Sequence, residues 1–101
     1  MEESLMSMHI EFEGEIFYWR GPAPFHFVAV PEEQSNAIKA ISALVSYGWG
    51  VIPARVQIGE TEWKTSLFPK TGGYLVPIKV SVQKSENLGV GDSVILELVI
   101  G

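Results

Sequence analysis

The chain has 101 residues, 47% of them hydrophobic and 19% charged, a profile that fits one folded domain and leaves no room for a second core. Twelve acidic residues against seven basic ones leave a formal charge of −5, and the cations at Arg20, Lys39, Arg55, Lys64, Lys70, Lys79 and Lys84 form no cluster along the chain. That balance argues against a polyanion such as nucleic acid as partner, because phosphate recognition rests on clustered Lys and Arg. Cysteine is absent, which excludes disulfides, thiolate nucleophiles and cysteine-ligated metal centres.

The acidic opening Met1-Glu2-Glu3-Ser4 is unlike a secretory leader, and no apolar run reaches the ~20 residues that span a bilayer. The expectation is a soluble, cytoplasmic protein with no membrane partner. Residues 1–7 read as a loose tail and 8–101 as the single domain. From Met8 the pattern alternates: Met8, Ile10 and Phe12 share one face, and His9, Glu11, Glu13 and Glu15 the other. This is the period of a half-buried strand with an acidic outer face. Gly14 is the expected bulge or bend, after which the run continues through Ile16, Phe17, Tyr18 and Trp19. Gly21-Pro22-Ala23-Pro24 cannot sit in a central strand, since proline offers no ladder donor, so it connects to a second strand from Phe25 to Val30 in a hairpin with the first.

At Pro31 the period changes. Proline suits the first helical position, Glu32 and Glu33 favour the positive end of the helix dipole, and Ile38, Ile41, Leu44 and Val45 form one apolar stripe. A helix is predicted at about 31–46, ended by Gly48. Strands at 51–58 and 62–68 follow, joined by a Gly59-Glu60 turn. Pro69 to Gly73 reads as a loop, and Tyr74 to Ile78 as a strand that Pro77 ends or places at an edge. Ser81 is placed to cap a short helix at about 81–87, with Gly89 beyond it. Gly91-Asp92 turns into a last strand carrying Val94, Leu96, Leu98 and Ile100.

Strand, proline, helix, glycine and strand recur twice, over Phe25 to Ile58 and Tyr74 to Ile100. The expected fold is mainly β: a small double-split, pseudo-twofold β-barrel of about six strands with one longer and one short helix.

The second unit, Leu75-Val76-Pro77-Ile78-Lys79 with Leu88-Gly89-Val90-Gly91-Asp92-Ser93-Val94, resembles the repeat of AbrB/MazE-type double-split barrels, whose two halves come from two chains. A closer resemblance runs through Trp19-Arg20-Gly21-Pro22-Ala23-Pro24-Phe25-His26-Phe27, Gly48-Trp49-Gly50-Val51-Ile52, Trp63-Lys64-Thr65-Ser66-Leu67-Phe68-Pro69 and Tyr74-Leu75-Val76-Pro77-Ile78-Lys79. These stretches are similar to a bacterial group, domain-of-unknown-function family 1905. That resemblance implies the barrel as a single chain and implies no activity. It also implies a basic residue often found where Gln83 stands, so no anion contact is expected from that short helix.

His9 and His26 are the only histidines and show no metal-ligand spacing, so a structural role is preferred to a zinc site. Lys64 and Ser66 share a strand face, but a Ser–Lys pair needs a heavily desolvated lysine, and solvated strand positions are the simpler reading. Asp92 fits a turn device that accepts nearby amides. Gly72-Gly73 lacks the lysine and helix of a phosphate loop. The aromatics say more. Phe17 and Trp19 fall on the solvent side of the first ribbon, Trp49 lies between glycines, and Trp63 opens the most specific motif. They either pack beneath the 31–46 helix or line a concave site with neighbouring cations.

The resulting expectation is a non-catalytic binding or interaction module for a small ligand or protein partner, monomeric or weakly dimeric, with no cofactor and no metal. Its expected ligand contacts are Trp19, Arg20, Trp49, Trp63, Lys64, Ser66 and Lys79. The rival readings are an AbrB-like nucleic-acid-binding regulator and a small hydrolase using Ser66 and Lys64.

Overall fold

The computed structural model describes residues 7–22, 24–45 and 50–101, with 43–45 described as backbone only. In chain order the elements are β1 (Met8–Glu15), β2 (Phe17–Trp19), β3 (Phe25–Ala29), α1 (Glu32–Val45), β4 (Ile52–Ile58), β5 (Thr61–Lys70), β6 (Gly73–Pro77), α2 (Val80–Glu86) and β7 (Ser93–Ile100). The seven strands form one antiparallel sheet in the order β1-β7-β4-β5-β6-β3-β2.

The strands at the two ends of that order, β1 and β2, are consecutive in the chain, with only Ile16 between them. One ribbon therefore joins both edges, and the sheet curls on itself as a small barrel does. The break falls at Ile16 and not at Gly14, because Ile16 is where the ribbon leaves β7 for β3. Its backbone remains bonded there, donating to the Asp92 carbonyl at 3.0 Å and accepting from the Gly91 amide at 2.9 Å. This break raises the strand count from the expected six to seven, and it sends only β2, not β1, into the hairpin with β3. Gly14 has another role: a Cβ there would lie 2.6 Å from Val28 Cγ1, so β1 passes β3 too closely for any side chain.

The two halves share one pairing scheme. The first ribbon pairs β7 along 8–15 and β3 along 17–19, while β5 pairs β4 along 61–67 and β6 along 68–70. Between them β3 pairs β6, and β4 pairs β7. Exchanging the unit ribbon-β3-α1-β4 with the unit β5-β6-α2-β7 leaves every pairing in place, which is the pseudo-twofold expected from the repeated strand–proline–helix pattern. Ile16 and Leu67, both fully buried, are the equivalent points at which each ribbon changes partner.

Inward-facing residues from both halves fill a single core: Phe12, Val28, Val56, Leu67, Val76, Leu96, Leu98 and Ile100 among them. Both helices add to it, α1 through Ile38 and α2 through Val82. Helix α1 starts one residue later than predicted. Pro31 stays outside and its carbonyl accepts the Ser35 amide, while the buried Ser35 hydroxyl donates to the Val30 carbonyl. The expected terminator Gly48 and the side chains of Leu44 and Val45 lie outside the described residues. Helix α2 is preceded by Lys79 without a side-chain cap, so Ser81 lies inside the helix; its end is turned by left-handed Asn87 (φ 56°), ahead of Gly89.

The predicted loop over Pro69 to Gly73 is instead the tip of a hairpin. Strand β5 runs on to Lys70, Pro69 is registered against Tyr74, and only Thr71 and Gly72 turn the chain. Proline is tolerated there because β5 has left β4 behind and is paired on one side only. Both turn residues have positive φ, 49° and 79°, the backbone of a type I′ turn. Among the described residues no helix is long and apolar enough to cross a membrane.

Candidate functional site

Side chains alternate across a strand, so the burial of Val28 and Val76 in the core sends Phe25, Phe27, Leu75 and Pro77 to the opposite, outer face of the sheet. Cross-strand register adds Phe17 opposite Phe27, Trp19 opposite Phe25, and Phe68 opposite Leu75. Four strands thus carry a continuous apolar outer face. Phe27 and Leu75 are buried in its floor although neither belongs to the core cluster. Trp19 (38% exposed), Phe25 (37%) and Phe68 (42%) stand around it.

The face is concave. A groove of about 670 Å³ is lined by Trp19, Phe25, Phe27 and Phe68, by Leu75, and by three prolines, Pro24, Pro69 and Pro77. Its remaining lining residues, Thr65 and Lys70, supply the polar side chains. The rings brace one another: Phe27 lies 6.1 Å from both Phe17 and Trp19, and 5.8 Å from Phe25, centroid to centroid. The Lys70 ammonium lies 5.2 Å from the centroid of the Trp19 ring, within cation–π range. The pseudo-twofold explains why these two meet. Trp19 faces Phe25 at the end of one hairpin as Lys70 faces Gly73 at the end of the other, so equivalent positions of the two halves approach each other over the β3–β6 pair.

Of the seven expected contact residues, the groove takes Trp19. Arg20 lies beside it in the chain, but its guanidinium sits 6.0 Å over Tyr18, whose ring is on the other face against His26 at 4.8 Å. Trp63 is 8% exposed and belongs to the core, with an indole N–H that has no partner among the described residues. Lys64 is exposed and registered against Arg55, and Ser66 is half-buried against Pro53. Lys79 is exposed ahead of α2. Trp49 lies outside the described residues. The second-core alternative for Phe17 and Trp19 does not hold, because α1 packs on β6 and β4 and both aromatics stay exposed.

Four further groove residues carry a signal in the sequence. Phe25 and Phe27 alternate with the same phase as Phe17 and Trp19 once the hairpin is in register. Phe68 closes the predicted 62–68 strand, whereas Lys70 falls in the predicted loop because Pro69 reads as a strand terminator.

The other singled-out residues lie away from the groove. Asp92 Oδ2 accepts the Gly89 amide at 2.9 Å, shaping the turn into β7. His9 is registered against Val99 and His26 against Tyr18, and among the described residues no three His, Asp or Glu side chains gather as a metal site. Nothing buries Lys64 so as to strip it of water beside Ser66. Gln83 is buried and turns its amide to the Ile78 carbonyl at 3.3 Å.

No curated protein matches the chain. A family model described as a domain of unknown function, DUF1905, matches residues 12–98, from within β1 to within β7, and so takes in every element that builds the groove. The chain belongs to the DUF1905 family.

Proposed function

We propose that this protein is a non-catalytic binding module whose site is the outer aromatic groove and whose ligand is a small, mainly apolar molecule. The observation that carries the reading is the exposure of Trp19, Phe25 and Phe68 around a concavity of about 670 Å³. Small-molecule sites commonly occupy roughly 300–1,000 Å³, with apolar and aromatic walls and few polar groups. Large aromatics left in water forgo favourable burial, and a ligand that covers them recovers it. Among the described residues the groove's polar side chains are Thr65 and Lys70, a set without an assembled nucleophile–base pair, which favours binding over chemistry.

The test uses N-phenyl-1-naphthylamine, a neutral apolar fluorophore that brightens when it leaves water. Saturable binding with one site per chain is expected. Trp19→Ala and Phe68→Ala, on opposite walls, should each weaken it severalfold with little change in the unfolding midpoint. Binding that neither substitution affects would refute the groove as the site.

A further inference from the structure

The groove's charge is as informative as its shape. Among its described lining residues Lys70 alone is charged, in a chain that carries twelve acidic and seven basic residues. Lys70 forms no ion pair among the described residues: its ammonium rests over the Trp19 ring, and Glu32, which borders a neighbouring cleft together with Lys70, is not paired with it. The only described cation–carboxylate pair is Arg55–Glu62, on strands β4 and β5, among residues that do not line the groove.

The backbone holds Lys70 in this place. It is the last residue of β5, registered against Gly73, and the tight Thr71-Gly72 turn brings the chain straight back into β6. The residue opposite, Gly73, has no side chain to cover the lysine stem. An ammonium at the mouth of an otherwise apolar groove attracts one negative charge and discriminates little among carboxylate, sulfonate and phosphate, because lysine acts as a point charge. The surrounding apolar walls keep water from screening that charge as fully as on an open surface.

We infer that the ligand is an apolar organic anion, its hydrophobic body held by Trp19, Phe25 and Phe68 and its single anionic group held by Lys70. This rests on the groove being the binding site, and it adds the ligand's charge and polarity. The anion takes the ammonium from the Trp19 ring, freeing that ring face for the ligand's apolar part. The acidic character of the remaining surface makes Lys70 the selective element: an anion is repelled by the average field and accepted where the groove offers its cation.

A matched pair of probes separates this inference from the reading beneath it. 8-Anilinonaphthalene-1-sulfonate is N-phenyl-1-naphthylamine with one sulfonate added. Lys70→Met is expected to weaken the sulfonate about fivefold relative to the neutral probe, the scale of a partly solvated ion pair. Lys70→Arg should keep most of the sulfonate affinity, and added salt should weaken only the charged probe. If Lys70→Met changes both probes equally, or neither, while both still depend on Trp19, the anionic ligand is ruled out and the apolar groove stands. If neither probe binds saturably, both readings fall.

Discussion

Gly14→Ala examines how the ribbon closes the sheet. The new Cβ would sit 2.6 Å from Val28 Cγ1, well inside the 3.4 Å at which ordinary van der Waals contact begins. Val28 is fully buried and β-branched, so it has neither space nor a free rotamer into which to retreat. The backbone at Gly14 is not in the left-handed region, so the penalty is steric and not conformational. Overpacking of this kind costs about 1–3 kcal/mol, against which alanine's smaller loss of chain entropy returns about 0.5–1 kcal/mol. A net loss of up to about 2.5 kcal/mol follows, and each kcal/mol lowers the midpoint of a domain this size by about 4–8 °C. Val28→Ala alone should cost about 2 kcal/mol, from two lost methyl groups and the cavity they leave. In the double variant the new methyl enters the vacated space, so the combined loss should fall short of the sum by about 1 kcal/mol. Urea denaturation of the four proteins, with matched slopes, measures this cycle. Additivity within about 0.3 kcal/mol would refute the close passage of β1 over β3.

Three further substitutions probe the hairpin turns. Glu86 reaches from α2 to the β4–β5 turn, where its Oε2 accepts the Thr61 hydroxyl at 2.5 Å and the Glu60 amide at 3.3 Å; Glu86→Ala should cost about 1–2 kcal/mol in chemical denaturation, and Thr61→Val should lose little more when Glu86 is already absent. Thr71 holds φ 49° in the type I′ turn despite its β-branched side chain, so Thr71→Asn, which creates the favoured Asn-Gly pair, should raise stability by about 0.5–1 kcal/mol in a thermal melt; an unchanged or lower midpoint would argue against that turn.

Elements with a strong periodic signal were legible from the residues. The alternation of Val94, Leu96, Leu98 and Ile100 gave β7, and the 3.6-residue stripe beginning at Ile38 gave α1, each within one or two residues of its observed bounds. The repeated proline and glycine punctuation disclosed the two equivalent halves before any pairing was known, because a helix start and a strand end each restrict the backbone locally. Errors arose where a residue's local preference was outweighed by its partners. Pro69 would end most strands, yet it continues β5 because only one edge of that segment is bonded. Gly14 resembles a bend, yet it is a point of contact between strands that lie at remote places in the sheet order.

For the candidate site the division is sharper. The aromatic character of Phe17, Trp19, Phe25 and Phe68 is written in the chain, and so is the outward phase of the first two. Whether an aromatic lines a groove or fills a core depends on which face of the sheet its neighbours close, and that is decided by long-range pairing. Trp63 and Trp19 have the same chemistry; the curl of the sheet puts one inside and the other at the groove's rim. The meeting of Lys70 with Trp19 depends on tertiary structure most of all, since the two residues are far apart in the chain and come together only when its halves fold about their common axis. Composition and periodicity therefore determined a mainly β fold made of two like halves, because both are written in local backbone preference. Tertiary structure alone decided the groove and its cation, because both depend on contacts between halves that no local pattern encodes.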